Sequence, residues 1–269
     1  MLDFRPVLFV IGLLLATIAV AMGIPAVVDV LAGHSDWQVF AISSAFTLFI
    51  GVSLVLAGRA AEMRLTIRQT FLLTTLSWVA IAVFAALPLA FSDLNLSYTD
   101  AFFEAMSGLT TTGSTVITGL DDAPPGILLW RALLQWLGGI GIIVMAVAVL
   151  PVLQVGGMQL FQTESSDTSE KVLPRIAQII SGISLIYIGL TSVCALLLWI
   201  WGMNGFEAVA HAMTTIATGG FSTSDGSIGH FNSAAIDWTI TVFMVLSGVP
   251  FVLYLQTVRG NLMALPRDG

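Results

Sequence analysis

Two short segments rich in threonine and glycine contain the residues of this 269-residue sequence that are best suited to binding an ion. A dehydrated monovalent cation needs a cage of oxygen atoms, which backbone carbonyls and threonine hydroxyls can supply. Glycine adopts backbone angles that residues with a Cβ resist, so that successive carbonyls can point at one axis. The predicted ion-binding residues are Thr110, Thr111, Thr112 and Gly113 in the first segment, and Ala217, Thr218, Gly219 and Gly220 in the second.

The two segments belong to a longer internal repeat with a constant offset of 107 residues. Asp100 aligns with Glu207, and the Ala, Met, Thr and Gly positions that follow align as well. The first part of each copy has good helix formers with apolar residues three and four apart, which predicts short helices over residues 99–109 and 206–216. Their negative C-terminal ends would point toward the ion. The alternative is a helix C-cap followed by an ordinary loop, and the repetition of the pattern favours the ion site.

The elements that must position these segments are membrane spans. Hydrophobic residues make up 57% of the chain and charged residues 9%, and the mean hydropathy is +0.97. This composition excludes an ordinary soluble enzyme, because a soluble domain has roughly 25% charged residues. The apolar runs are long enough to cross a hydrocarbon core of roughly 30 Å. They predict an all-α membrane protein with six transmembrane helices, at about residues 6–31, 37–57, 70–91, 127–153, 176–201 and 234–258.

Each Thr/Gly segment lies between two predicted spans, so the chain is organised as an N-terminal helix pair followed by two span–loop–span repeats. The predicted boundaries are 1–65 for the helix pair, 66–160 for the first repeat and 161–269 for the second. Because each repeat crosses the membrane twice, the two repeats are parallel. Irregular backbone at membrane depth has to line water or be buried in protein, since lipid cannot satisfy its polar groups. We therefore expect two re-entrant loops, each a pore helix followed by a filter segment.

The basic residues predict the orientation of the spans. A cytoplasmic N-terminus places eight of the nine Lys and Arg residues on the cytoplasmic side, as bacterial topology favours, and leaves only Arg131 near the outer end of a span. Ten of the sixteen acids then lie at the outer side, where they either concentrate cations or merely accumulate because basic residues are excluded. A cleavable signal ending near Ala21 is an alternative for the first span, although the apolar run continues past it.

The aligned motifs, Asp100 to Gly113 with Ser114-Thr115-Val116 and Glu207 to Gly220 with Phe221-Ser222, resemble those of the Trk/Ktr/HKT superfamily of potassium transporters, and most closely the bacterial Trk-type potassium-uptake membrane subunit. The resemblance implies four span–loop–span repeats around one pore in the inner membrane, with K+ as the transported ion and one filter glycine per repeat. It also implies a cytosolic nucleotide-binding regulatory subunit, for which the loop at residues 162–175 is a candidate contact. Only two repeats are present here, so the sequence resembles the N-terminal half of that subunit, and completing the ring requires a C-terminal half or a homodimer.

Several further polar residues have a structural and a functional interpretation. We expect Asp100 and Glu207 to cap the short helices rather than attract ions, and Glu104 and His211 to pack against a neighbouring span rather than bind ions. Arg131 is expected to pair with an acid such as Glu104 or Asp122. Other expectations concern a close-packing face at Gly138-Gly139-x-Gly141, a bend at Gly248 and Pro250, a buried Cys194, and no metal site at His34, His211 or His230.

The leading functional hypothesis is gated or passive potassium uptake across the inner membrane. The alternative is a secondary transporter of another small cation or solute, which would need ionisable residues in mid-span. An intramembrane hydrolase would need a nucleophile and a base within reach of each other, and the sequence offers no convincing pair. We therefore predict no enzyme activity, and partners limited to the potassium ion, membrane lipid and other protein chains, with no nucleic acid.

Overall fold

The computed structural model describes residues 4–59, 66–153 and 169–258, and in these ranges the regular structure is helical, without a strand. Short 3-10 turns lie at Leu120–Asp122 and Ser227–Phe231. The helices, in chain order, are α1 Arg5–Ala21, α2 Gly23–Ala32, α3 Trp37–Ala57, α4 Ile67–Phe91, α5 Tyr98–Leu109, α6 Pro125–Leu153, α7 Ser169–Ile200, α8 Gly205–Ile216, α9 Ala234–Gly248 and α10 Phe251–Val258. The all-helical prediction is confirmed for this part of the chain.

Five segments of the described chain are long and apolar enough to cross a membrane, namely Arg5–Ala32, Trp37–Ala57, Arg68–Phe91, Pro125–Ile143 and Ala177–Ile200. The sequence predicts one further continuous span at residues 234–258, but the structure divides it into two helices that meet at 86°. Val249 at the break is extended, with ψ 135°, because a proline disfavours helical angles at the residue before it and Pro250 has no N–H to donate. The predicted bend is therefore present, and it is sharp.

The two largest apolar cores of the described residues organise the helices, one for each predicted repeat. The first joins Met22 and Phe40 of the N-terminal helices to α4, α5 and the start of α6. The second is built by α7, α8, α9 and Phe251 of α10. Helix α6 contributes to both, since Trp130 and Leu134 lie in the first core and Trp136 packs on the second. The short helices α5 and α8 thus both pack on one shared helix.

The polar loop predicted at residues 162–175 is only partly described. Residues 162–168 lie outside the described residues, and helix α7 begins at Ser169. The second half of the predicted loop is therefore helical, and this part of the prediction is wrong. Apolar periodicity gave no signal there, because the first turns of α7 are rich in charged and polar residues.

Buried carboxylates anchor the loops near the predicted outer side. Asp29 Oδ1 accepts a hydrogen bond of 2.6 Å from the backbone N–H of Gly126, in the first turn of α6. Asp36, just before α3, is also buried and accepts a longer bond of 3.4 Å from the Asp93 N–H. Burial raises the pKa of the Asp36 carboxyl above its ordinary 3.8, the neighbouring Asp93 carboxylate raises this pKa further, and the hydrogen bond opposes the shift.

Candidate ion-binding site

The two short helices begin with side-chain caps, as the acids in their first turns predicted. Ser97 Oγ accepts a hydrogen bond from the Asp100 N–H at 3.1 Å, and Asn204 Oδ1 accepts one from the Glu207 N–H at 2.8 Å. Glu207 also reaches back to the Asn204 N–H at 3.2 Å, which completes a capping box. Glu207 therefore takes part in capping its helix as predicted, whereas the Asp100 carboxylate accepts a 2.7 Å bond from the hydroxyl of Ser97, which is itself the cap. Helices α5 and α8 lie within one residue of their predicted bounds.

The C-terminal ends of the two helices have the same backbone structure. The N–H of Thr112 donates to Ser107 O and that of Gly219 donates to Thr214 O, each at 2.9 Å. This six-to-one bond is the Schellman type of helix end, which requires a left-handed residue just before the donor. That residue is Thr111 in one copy and Thr218 in the other, each with φ 54°. A β-branched residue rarely adopts positive φ, and such strain concentrates at functional sites.

The glycines two residues further along also match, with φ 79° at Gly113 and φ 82° at Gly220. A Cβ on Gly113 would overlap the carbonyl oxygen of Gly219, so the two Thr/Gly segments are in direct contact at this point. On Gly220 the same Cβ would meet no described atom within 4 Å. The structure therefore brings the two sets of predicted residues together. Their exposure differs, because Thr112, Thr218 and Gly220 are exposed whereas Ala217 and Gly219 are buried.

Helix α6 packs closely on the ends of both short helices at two adjacent glycines, Gly138 and Gly139. A Cβ on Gly138 would overlap the carbonyl of Leu109, the last residue of α5. A Cβ on Gly139 would lie 2.7 Å from the Tyr187 hydroxyl and 3.1 Å from Ala217. The predicted close-packing face is thus confirmed for these two glycines, but Gly141 has no described neighbour within 4 Å of its Cβ position.

Gln135 lies one turn before Gly138 and Gly139 and is fully buried. Its Oε1 accepts a hydrogen bond of 3.1 Å from the N–H of Phe221, the residue after Gly220. A Cβ on Gly219 would overlap this amide group. Gln135 therefore fills the space directly behind the second segment.

A buried ion pair holds the chain that follows each Thr/Gly segment. Arg131 Nε donates to Glu104 Oε1 at 2.8 Å, and the two side chains are 1% and 0% exposed. Glu104 also accepts hydrogen bonds of 2.9 Å from the Thr115 hydroxyl and from the Val116 N–H. Arg131 Nη1 donates to the carbonyl of Ser222 at 2.9 Å, which joins the first repeat to the second. The predicted pairing of Arg131 with an acid is confirmed, and its partner is Glu104.

The second repeat holds the corresponding chain with a different side chain. His211 occupies the position of Glu104, and its Nε2 lies 3.0 Å from the hydroxyl of Ser222. The other ring nitrogen lies 2.8 Å from the carbonyl of Glu207. Glu104 and His211 therefore make equivalent contacts, since each forms a hydrogen bond with the side-chain hydroxyl of the residue eleven positions further along the chain. Glu104 contacts the neighbouring span α6 through Arg131, as expected, whereas the two hydrogen bonds of His211 lie within its own repeat.

A cavity of about 430 Å³ lies against the helix-end side of the two segments. Thr111 and Thr218 line one wall, and residues 247–252 around the bend between α9 and α10 line another. Neither Gly113 nor Gly220 lines it. The left-handed threonines thus separate the cavity from the paired glycines.

A family model described as TrkH, cation transport protein, matches residues 36–260. This chain belongs to the TrkH cation-transport family. It is 44% identical over 98% of its length to the Trk system potassium uptake protein TrkI of Halomonas elongata, and 43% identical over 97% to that named TrkH of Escherichia coli. The crystal structure of the potassium transporter TrkH from Vibrio parahaemolyticus matches 98% of the chain with a TM-score of 0.88 and 40% identity. The chain spans about half the length of these relatives, 54% of both curated proteins and 53% of the crystallised chain.

Three features of this TrkH-family site were missed by reasoning from the sequence. Gln135 lies within the predicted span 127–153, and nothing in the sequence pattern places it behind the second segment. Phe221 follows the second segment in the motif, and the centre of its ring lies 4.2 Å from the guanidinium carbon of Arg131. Asp225 also joins the repeats, since it accepts a 2.9 Å bond from the Gly119 N–H. A polar residue in an apolar span, such as Gln135, was the one available signal.

Proposed function

We propose that this TrkH-family chain supplies half of a potassium-conducting pore in a bacterial inner membrane, with residues 110–113 and 217–220 as two of its four filter segments. The observation that carries the proposal is the duplicated backbone: Thr111 and Thr218 share one left-handed angle, Gly113 and Gly220 share another. Gly113 faces the Gly219 carbonyl without room for a Cβ. Such geometry suits carbonyl oxygens that replace the hydration shell of K+, and the potassium uptake named for the relatives agrees with it.

The membrane arrangement is part of the same proposal. The bent pair α9–α10 serves as the sixth span, α5 and α8 are re-entrant pore helices, and the N-terminus is cytoplasmic. Under this arrangement the cavity beside Thr111 and Thr218 opens inward, where it holds a hydrated ion below the filter. Both pore helices then direct their negative ends at this ion, which favours a cation.

A third repeat has a defined place to pack. Arg131 and Gln135 of α6 face the neighbouring repeat through their bonds to Ser222 and Phe221, and the offset of 107 carries them to Trp238 and Val242 of α9. These two side chains are 71% and 50% exposed. We propose that a further span–loop–span unit covers this face and approaches Gly220 as the second repeat approaches Gly113. That unit belongs to a C-terminal half or to a second copy, and a cytosolic nucleotide-binding subunit gates the finished pore.

Potassium uptake by bacteria that lack their own uptake systems tests this function. The chain is expressed alone and as a chimera with the C-terminal half of the E. coli TrkH, and growth and uptake are measured at low external potassium. We expect uptake by the chimera, and a loss of preference for potassium over sodium in Gly113→Ser. Gly141→Ser is the matched control, because a Cβ at Gly141 meets no described atom within 4 Å.

The outcomes separate the parts of the proposal. Uptake by the chain alone assigns the missing half of the ring to a second copy, whereas uptake by the chimera alone assigns it to a C-terminal half. A chimera that reaches the membrane without potassium uptake refutes the function. An unchanged preference in Gly113→Ser removes residues 110–113 from the filter.

A further inference from the structure

A single helix face connects the outer ends of both Thr/Gly segments. Arg131 and Gln135 lie one turn apart on α6, where residues four apart share a face. Arg131 bonds the Ser222 carbonyl, and Gln135 bonds the Phe221 N–H. The Ser222 carbonyl and the Phe221 N–H both belong to residues within two positions of Gly220 in the chain. The separation of the two proposed filter segments therefore depends on the positions of the Arg131 guanidinium and the Gln135 amide.

The guanidinium of Arg131 makes contacts to three separate parts of the chain. Nε donates to Glu104 of α5, and Nη2 donates to the Thr115 hydroxyl of the first repeat at 3.2 Å. Nη1 donates to the Ser222 carbonyl of the second repeat. The planar fork of an arginine can serve three acceptors at once, whereas a lysine ammonium is a compact point charge on a flexible stem. The aromatic ring of Phe221 covers the guanidinium and restricts it to this plane.

The burial of this pair indicates a geometric role more than a stabilising one. Two charges taken out of water lose much of their hydration, and buried ion pairs can often be replaced by apolar side chains without loss of stability. What apolar side chains cannot reproduce is the set of directed bonds to Thr115, Val116 and Ser222. Removing only one partner would leave an uncompensated buried charge, so single and double changes should differ sharply.

We propose that Glu104 and Arg131 are positioning residues that set the separation of the first and second filter segments, and thereby the discrimination of potassium from sodium. This inference rests on the proposed function. A sodium ion is smaller than a potassium ion, so carbonyls that can move inward also coordinate sodium, whether selectivity comes from cavity size or from the carbonyl field. The pair prevents this movement because it joins Thr115 and Ser222 through one rigid group.

The decisive variant is Glu104→Gln combined with Arg131→Met in the chimera with the C-terminal half of the E. coli TrkH. This change removes both buried charges together, so we expect a folded protein that still takes up potassium. The preference for potassium over sodium in vesicles should fall by about tenfold, equivalent to about 1.4 kcal/mol. Arg131→Lys retains the charge but not the three-way fork, and should give a smaller loss in the same direction.

Asp237→Asn provides the control, because Asp237 is an exposed acid in the first turn of α9, outside this network. A folded double variant with the wild-type preference would overturn the inference, and so would an unchanged preference in Arg131→Lys if the double variant fails to fold. These results differ from a failure of the proposed function, in which the unmodified chimera itself takes up no potassium.

Discussion

Gly113 and Gly220 have nearly the same φ but different surroundings, and this contrast gives a quantitative prediction. Gly113→Ala and Gly220→Ala both place a Cβ on a residue with φ near 80°. At Gly113 the new atom also overlaps the Gly219 carbonyl, whereas at Gly220 it meets no described atom within 4 Å. The first variant should therefore be the more destabilised when this chain is studied alone.

The expected magnitudes follow from these two contributions. A left-handed conformation costs a residue with a Cβ about 1 kcal/mol, and this cost applies equally to both variants. Overlap with a packed backbone atom adds about 1 to 3 kcal/mol at Gly113, because the second segment has to move. Gly219 cannot move freely, since Gln135 lies directly behind it. Gly113→Ala should then lower the free energy of unfolding by about 2 to 4 kcal/mol, and Gly220→Ala by about 1 kcal/mol.

Unfolding of the purified chain in mild detergent by increasing SDS, followed by circular dichroism, measures both changes on one scale. The unmodified chain and Gly141→Ala serve as references, because Gly141 is helical and open. Equal destabilisation by Gly113→Ala and Gly220→Ala would refute the contact between the two segments. A larger destabilisation by Gly220→Ala would refute the inference that Gly113 is the more closely packed of the two glycines.

Two further predictions concern the supports of the site. Gly138→Ala should destabilise the chain by about 1 to 3 kcal/mol in the same assay, because its Cβ would overlap the Leu109 carbonyl; an effect no larger than that of Gly141→Ala would contradict the packing of α6 on α5. Asp36→Asn should flatten the pH dependence of the melting temperature above pH 3.8. The raised pKa means that the folded state binds more protons than the unfolded state, so stability falls as pH rises through that pKa, and a variant with the wild-type slope would contradict this assignment.

The repeat and its short helices could be predicted because their signals are local. Acids at the start and Thr/Gly residues at the end of residues 99–109 match the observed helix Tyr98–Leu109, whose cap is Ser97. The offset of 107 predicted that Thr111 and Thr218 would be equivalent, and they share φ 54°. Local sequence determines such helix ends because the bonds that satisfy them come from neighbouring residues.

The contacts between the repeats could not be predicted, because they depend on distances across the fold. Arg131 had two candidate acids, and spacing alone did not distinguish Glu104 from Asp122. The bond that the Gly119 N–H donates to the Asp225 carboxylate joins residues more than a hundred positions apart. A loop hydrogen bond of this kind leaves no periodic signal, since periodicity records only which face of a helix is apolar.

The two repeats have similar Thr/Gly segments although the side chains that hold these segments are different. The two Thr/Gly segments are nearly identical in backbone angle, yet the side chains that support them differ: Glu104 and Arg131 in the first repeat, His211 in the second. In the proposed filter an ion interacts with oxygen atoms of the Thr/Gly segments, so the supporting residues can differ as long as the positions of those oxygens are kept. The same reasoning makes Trp238 informative, because at the position of Arg131 it offers a large apolar surface and no guanidinium fork. The third repeat that we propose for this face would therefore hold its filter segment by a different set of bonds.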